Sequence, residues 1–227
     1  MTLQDDAREL LKAWRGDTYV HGLGILPTLG RRARELGRRA ALVTTSFPGS
    51  VDPTVALRTP LIEAGCQIVG QAEGAAPNAP RQDVERLRGW LQALSPEVIV
   101  SFGGGSTIDA VKAAEVLRTL GGDIERYFGT GLVSEALASA GRQLTPHLAV
   151  QAAASSGAHL TKYSNVTDLS TGQKKLIVDD AVVPTRAGFD YAVTRDAPAS
   201  LTCDGALDGF SHVLEVLYGA VGKAHYE

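Results

Sequence analysis

Two groups of residues in this sequence have the types and the spacing that chemistry needs. The first is Gly103-Gly104-Gly105-Ser106-Thr107, which follows the apolar run 98–102 and precedes a helical pattern. A glycine turn between a strand and a helix exposes backbone N–H groups and the positive end of the helix dipole, which together suit a pyrophosphate. Ser106 can cap the helix and also donate to a phosphate oxygen. The alternative is a tight turn that serves only close packing.

The second group lies near the end of the sequence, in the segment GALDGFSHVLEVLYG. Asp208 and His212 are four residues apart, so a helix places them on one face, and Glu215 follows along the same side. A carboxylate and an imidazole at this spacing form half of a plausible divalent-metal site. The alternative is a simple Asp–His helix pair with Glu215 on a solvated face.

The elements that must position these groups alternate between strands and helices. Apolar runs at 40–45, 67–69, 98–102 and 148–150 predict strands, and a further short strand is expected around Tyr19. Helical patterns occupy 3–14, 26–36, 81–94 and 106–119, and another begins near Ala199. Residues 160–194, rich in Thr, Val and Tyr, predict short strands in a hairpin. The order predicts an α/β fold with a parallel sheet and helices on both faces.

Composition excludes several classes of partner. The 227 residues carry a net charge of -3 without a basic block, which disfavours nucleic acid or an anionic membrane surface. No apolar run approaches the ~18 residues that a membrane span needs. Cys66 and Cys203 form no disulfide framework, and the acidic, amphipathic start is unlike a signal peptide. We therefore expect a cytoplasmic protein.

GGGSTIDAVKA, followed about a hundred residues later by Asp208-x-x-x-His212, resembles the iron-containing alcohol dehydrogenase family. The wider superfamily includes glycerol dehydrogenase, maleylacetate reductase and dehydroquinate synthase. The resemblance implies a Rossmann-like NAD(P)-binding α/β domain, here residues 1–196, followed by an all-helical metal-binding domain that begins at 197–227. It also implies a homodimer that acts on a small alcohol or aldehyde.

The family pattern also implies roles for individual residues. The pyrophosphate would be held by Gly103, Gly104, Gly105, Ser106 and Thr107, and the rest of the cofactor would lie near Asn78, Ser155, Ser156 and Lys175. Asp208 and His212 would be the first two of four ligands to iron or zinc, which would polarise the substrate oxygen. Hydride would pass between the substrate carbon and NAD or NADP.

Two departures from the family pattern concern the cofactor. Thr45 stands where the family often has an Asp that binds the ribose 2′-hydroxyl, so NADP is permitted. The family's TTAGTGSE-like loop is AAASSGAHLT here, residues 152–161, which removes side-chain donors and puts His159 at the acidic position. His159 is then either a substrate contact or a partly exposed polar residue.

A third departure concerns the metal, because the family's remaining two histidine ligands would lie downstream of Glu227. His225 is thirteen residues past His212, about 20 Å along a straight helix, and so does not replace them. We expect an N-terminal piece, a truncated product or one half of a split enzyme, and in each case a chain that is metal-poor and inactive alone. A dehydroquinate synthase-like lyase or cyclase, or a nucleotide-binding remnant without catalysis, are the alternatives.

Overall fold

The computed structural model describes residues 2–45, 52 and 54–222. The α-helices are α1 (Leu3–Arg15), α2 (Leu26–Arg34), α3 (Thr59–Glu63), α4 (Arg81–Leu94), α5 (Gly105–Leu120), α6 (Leu132–Ala140) and α7 (Ala199–Ala220). The strands are β1 (Tyr19–Gly22), β2 (Arg39–Thr44), β3 (Gln67–Glu73), β4 (Val98–Gly103), β5 (Gly129–Thr130), β6 (His147–Gln151), β7 (Tyr163–Asp168), β8 (Gln173–Val178) and β9 (Arg186–Asp190). Short 3₁₀ turns cover Gly16–Thr18, Ile124–Tyr127, Asp180–Val182 and Tyr191–Thr194, and a π-helical turn covers Thr54–Arg58.

Six strands form one parallel sheet in the order β1-β9-β6-β4-β2-β3. This Rossmann-like sheet with flanking helices confirms the predicted α/β class. Its central strand β4 is buried along its whole length, because both faces are covered. One face packs against α4 and α5, with Leu87 and Leu117 in that core, and the other packs against α2 and α3, with Leu29 and Leu61.

A second, smaller sheet has the order β5-β8-β7. Strands β7 and β8 form an antiparallel hairpin, as the sequence predicts for part of 160–194. The segment Arg186–Asp190 does not belong to that hairpin, which corrects the sequence-based assignment. It is β9, which lies between β1 and β6 in the main sheet. Ala187 and Gly188 of β9 pair in parallel register with residues of both neighbouring strands.

Helices α1 and α7 differ from the others in that they bury little. In α1 no residue is buried, although Thr2 and Asp5 form a capping box at its start. In α7 the one buried residue of the 22 is Ala220. In the part of the chain that is described, no helix combines the length and the apolar character that a bilayer span requires.

Candidate cofactor and metal site

The glycine turn joins the end of β4 to the start of α5 at the carboxyl edge of the sheet. Gly104 is the N-cap of α5, and within the described part of the chain no side chain caps the helix there. A Cβ at Gly103 would lie 2.8 Å from Cβ of Thr107, and one at Gly105 would lie 2.5 Å from Oγ of Ser156. A Cβ at Gly104 would lie 3.6 Å from Cβ of Ala153, the one atom of the described residues within 4 Å. Packing therefore explains two of the glycines but not Gly104.

Asn78 connects the glycine turn to the β7–β8 hairpin. Its backbone N–H donates to Ser106 Oγ at 2.9 Å, and its carbonyl accepts from Thr167 Oγ1 at 2.7 Å. Its side-chain Oδ1 accepts from Lys174 Nζ at 3.2 Å. The backbone of Asn78 has a positive φ of 68°, a conformation that asparagine tolerates better than most residues. Ser106 accepts a hydrogen bond here, which leaves its hydroxyl proton free to donate.

Thr107 and Thr45 face each other inside the protein. Their hydroxyl oxygens are 2.6 Å apart, and Thr107 Oγ1 also accepts from the backbone N–H of Ala75. Thr107 is 2% exposed, so its side chain does not reach the cleft described below. Gly74 leaves the space that these two hydroxyls occupy, because a Cβ there would overlap them. The Thr107 side chain thus ties β2 and the end of β3 to α5.

The loop after β6 faces the glycine turn. Ala152 N–H donates to the carbonyl of Gly103, which holds the loop beside the turn. Ser155 adopts a positive φ of 72°, and Ser156 Oγ accepts from Ala158 N–H. Both predicted serines line the cleft described below.

Lysines 174 and 175 lie on opposite faces of β8, as strand alternation requires. Lys174 lines the cleft with Asn78. Lys175, the residue predicted for the cofactor, instead donates to Glu125 Oε2 at 2.7 Å and lies over the ring of Phe128. The structure therefore places Lys174, not Lys175, on the cleft side of the hairpin.

Helix α7 meets the loop after β6 at two glycines four residues apart. A Cβ at Gly205 would lie 3.0 Å from Cβ of Ala154, and one at Gly209 would lie 3.9 Å from Cβ of Ser155. This close approach brings Asp208 and His212 to the cleft. His212 Nε2 lies 3.6 Å from Asp208 Oδ2, and the two side chains are 62% and 55% exposed.

One cleft of about 830 Å³ joins these elements. Its wall includes Gly105, Ser106, Asn78, Ser155, Ser156, Lys174, Asp208, His212 and Glu215. The donor types of Asp208 and His212 suit a divalent ion. In residues 2–45, 52 and 54–222, no group of three or more His, Cys, Asp or Glu side chains could hold one. His225 lies outside the described residues.

Asp109 and Lys112 form a buried pair on α5 that is not among the predicted site residues. Asp109 lines the cleft, where its Oδ2 accepts from the backbone and side-chain amides of Asn165. Burial raises the pKa of Asp109 and lowers the pKa of Lys112 to about 8, and the two charged atoms lie 3.8 Å apart. In the sequence, their i, i+3 spacing indicates that the two side chains can pair, but only the tertiary packing shows that both are buried.

His159 is not among the residues that line the cleft. It is 4% exposed, and its ring lies near the rings of Tyr19 and Phe189. Neither ring nitrogen has a hydrogen-bond partner in the described residues. Burial lowers its pKa to about 4, so the imidazole is neutral near pH 7.

Comparison with known proteins points to one family. The family model described as iron-containing alcohol dehydrogenase matches residues 17–191. A sulfoacetaldehyde reductase of Bilophila wadsworthia is 28% identical over 202 residues, which are 88% of this chain and 50% of that protein. The chain spans about half the length of the curated relatives it matches.

Solved structures share the fold of this chain. A 1,3-propanediol oxidoreductase superposes with a TM-score of 0.78 at 24% identity, over 87% of this chain and 50% of that one, which supports the fold. The sulfoacetaldehyde reductase of Bifidobacterium kashiwanohense in complex with NAD+ superposes with a TM-score of 0.69 at 25% identity, over 84% and 49% of the chains. On the match to the family model, which covers most of its length, the chain belongs to the iron-containing alcohol dehydrogenase family.

Proposed function

We propose that this chain is the dinucleotide-binding portion of an NAD(P)-dependent, metal-assisted alcohol dehydrogenase or aldehyde reductase. The observation that carries the proposal is the cleft, which places an uncapped helix N-terminus and a carboxylate–imidazole pair on one surface. The relatives named above act on small alcohols or aldehydes according to their names, which supports a substrate of that class.

The glycine turn is the proposed pyrophosphate site. The first N–H groups of α5 have no side-chain cap and lie at the positive end of the helix dipole, so they suit a bound anion. Ser106 Oγ donates to a phosphate oxygen while it accepts from Asn78. Lys174 supplies a positive charge from the hairpin, and Ser155 and Ser156 close the opposite side of the cleft.

The choice between NAD and NADP depends on the end of β2. Thr45 carries no charge, and its hydroxyl is already paired with Thr107. A 2′-phosphate would therefore meet no carboxylate from this residue. We include NADP in the proposal on this basis, beside the NAD that occupies the related structure.

Asp208 and His212 are the proposed ligands for a divalent ion, iron or zinc. Their donor chemistry fits such an ion, and they line the cleft that also holds the pyrophosphate site. When bound, the metal supplies Lewis-acid polarisation of the substrate oxygen and the nicotinamide supplies hydride chemistry. Asp208 and His212 would hold the ion at the wall of the cleft.

The domain boundary belongs to the same proposal. We place the α/β domain at residues 1–196 and the beginning of the helical domain at 197–227. Pro198 precedes α7, and nearly all side chains of α7 remain exposed, which supports a change of domain there. A cytoplasmic homodimer completes the proposal. The family resemblance supports the dimer, and two free cysteines, Cys66 and Cys203, support the compartment.

Ligand titrations of the 227-residue chain test this function. NADH fluorescence should show saturable binding, and weak Zn²⁺ binding, measured by calorimetry, should be lost in His212→Ala. Glu215→Ala is the matched control, because Glu215 lies on the same face of α7 and is not a proposed ligand. Absence of NADH binding would overturn the cofactor assignment, and unchanged Zn²⁺ affinity in His212→Ala would overturn the metal assignment.

A further inference from the structure

A second cavity lies at the opposite edge of the main sheet from the cleft. It has a volume of about 210 Å³ and is bounded by α5, α6 and the Asp180–Val182 turn, near the amino ends of β4 and β6. Its aliphatic wall includes Ile99, Val111, Leu137, Leu144 and Val182. We call it the rear cavity. Among the residues that the structure describes, it shares no wall residue with the cleft, so a molecule bound there need not compete with the cofactor.

The buried charges in the wall of the rear cavity already have partners. The Glu115 carboxylate accepts from Arg118, from Thr119 Oγ1 at 2.9 Å and from Thr145 N–H at 2.6 Å. Lys112 Nζ donates to the carbonyls of Thr161 and Tyr163 at 2.9 and 2.8 Å. A charged ligand would therefore lose its hydration without finding a free counter-charge in the buried wall. These contacts favour an uncharged occupant.

His147 gives the buried wall one open hydrogen-bonding atom. The residue is 8% exposed, and its Nε2 lies 2.7 Å from Ser101 Oγ. The hydrogen bonds of His147 with the described residues use Nε2 and the backbone N–H, which donates to Thr185 Oγ1, and none uses Nδ1. Burial lowers the pKa of His147 to about 3, so the ring stays neutral and Nδ1 either donates or accepts, according to the tautomer. A hydroxyl group can satisfy both cases.

We propose that the rear cavity is a second ligand site for a small uncharged molecule with an apolar body and one hydroxyl or carbonyl group. The aliphatic wall contacts the body, and His147 Nδ1 forms the hydrogen bond. An apolar cavity of about 150 Å³ holds benzene, so this volume holds a molecule of similar or slightly larger size. The site does not depend on the proposed dehydrogenase activity.

Phenol and benzene form a matched pair of probes, because they differ only in the hydroxyl group. We expect phenol to bind ¹⁵N-labelled protein saturably in the millimolar range and to shift the amide signals of Val111, Lys112 and His147. Phenol should bind at least as tightly as benzene, since His147 pairs with its hydroxyl. Binding of benzene without phenol would overturn the proposal, because a buried hydroxyl without a partner is costly.

Two further measurements locate the site. Ala181→Phe places a ring in the wall of the rear cavity and should abolish phenol binding, whereas Ala138→Phe, on the exposed side of α6, should not. The phenol shifts should persist in saturating NADH. Displacement of phenol by NADH, or shifts centred on the cleft, would overturn the proposal. If Ala181→Phe does not fold, the positions of the phenol-induced shifts in the wild-type protein test the proposal.

Discussion

Gly104 allows the cofactor proposal to be tested separately from the fold. Its φ of −77° suits any residue, and an added Cβ would make only an ordinary contact, at 3.6 Å from Cβ of Ala153. We therefore expect Gly104→Ala to change the free energy of unfolding by less than about 1 kcal/mol. The same methyl group would keep a phosphate away from the N–H groups of the turn. Loss of one charge-assisted hydrogen bond, about 1.5–3 kcal/mol, would raise the Kd for NADH by about 10- to 150-fold.

The neighbouring glycines are the controls for this prediction. Gly105→Ala brings Cβ to 2.5 Å from Ser156 Oγ, and Gly103→Ala brings it to 2.8 Å from Cβ of Thr107. Both should lower stability by about 1–3 kcal/mol through overpacking. NADH affinity is measured by fluorescence titration and stability by urea unfolding. Gly104→Ala and Gly104→Val that fold and bind NADH as tightly as the wild type would refute the argument.

Three other predictions concern charge. Lys174→Ala should raise the Kd for NADH about tenfold, while Lys175→Ala should leave it unchanged; equal effects in the titration would contradict the placement of the two lysines. His147 and His159 have folded-state pKa values of about 3 and about 4, below the ordinary 6.5, so the unfolded chain binds more protons below pH 6.5. The contribution of the two neutral histidines to the free energy of unfolding should then be complete above pH 6.5. It should fall by about 1.4 kcal/mol per pH unit for each histidine between pH 6.5 and 4. His159→Phe should reduce that slope in urea unfolding at pH 7, 6 and 5, and an unaltered slope would argue against it. Thr45→Asp should shift binding from NADPH towards NADH, and a wild type that already rejects NADPH would contradict this.

The sequence predicts the elements with strong periodicity. Helix 81–94 is found with those bounds, and the buried strand and glycine turn at 98–105 are found as β4 and the start of α5. These elements were predictable because the spacing of apolar residues and the position of glycines depend on local backbone geometry. Short elements such as α3 and β5 carry too few residues to show a period. Strand β9 was assigned to the hairpin, because the sequence of a strand does not say which sheet it joins.

Part of the candidate site was also predictable, because several of its residues lie in local sequence motifs. Ser106, Ser155, Asp208 and His212 lie in motifs, and the structure brings them to one cleft. Lys174 and Lys175 are adjacent, so choosing between them requires the pleat of β8 and its register with β7. The burial of His159 depends on Tyr19 and Phe189, which are distant in the sequence.

The contact between α7 and the loop after β6 has a mechanical consequence. The helix has 22 residues, about 33 Å in length, and Gly205 and Gly209 lie beside Ala154 and Ser155 of that loop. Because these two residues have no side chains, they form a point of contact about which the helix can turn. A rotation of about 10° there would move Ala220 by about 3 Å, but Asp208, beside the pivot, by a fraction of an ångström. A rotation about this pivot would therefore displace the far end of α7, where Ala220 is buried, much more than the candidate metal ligands at the cleft.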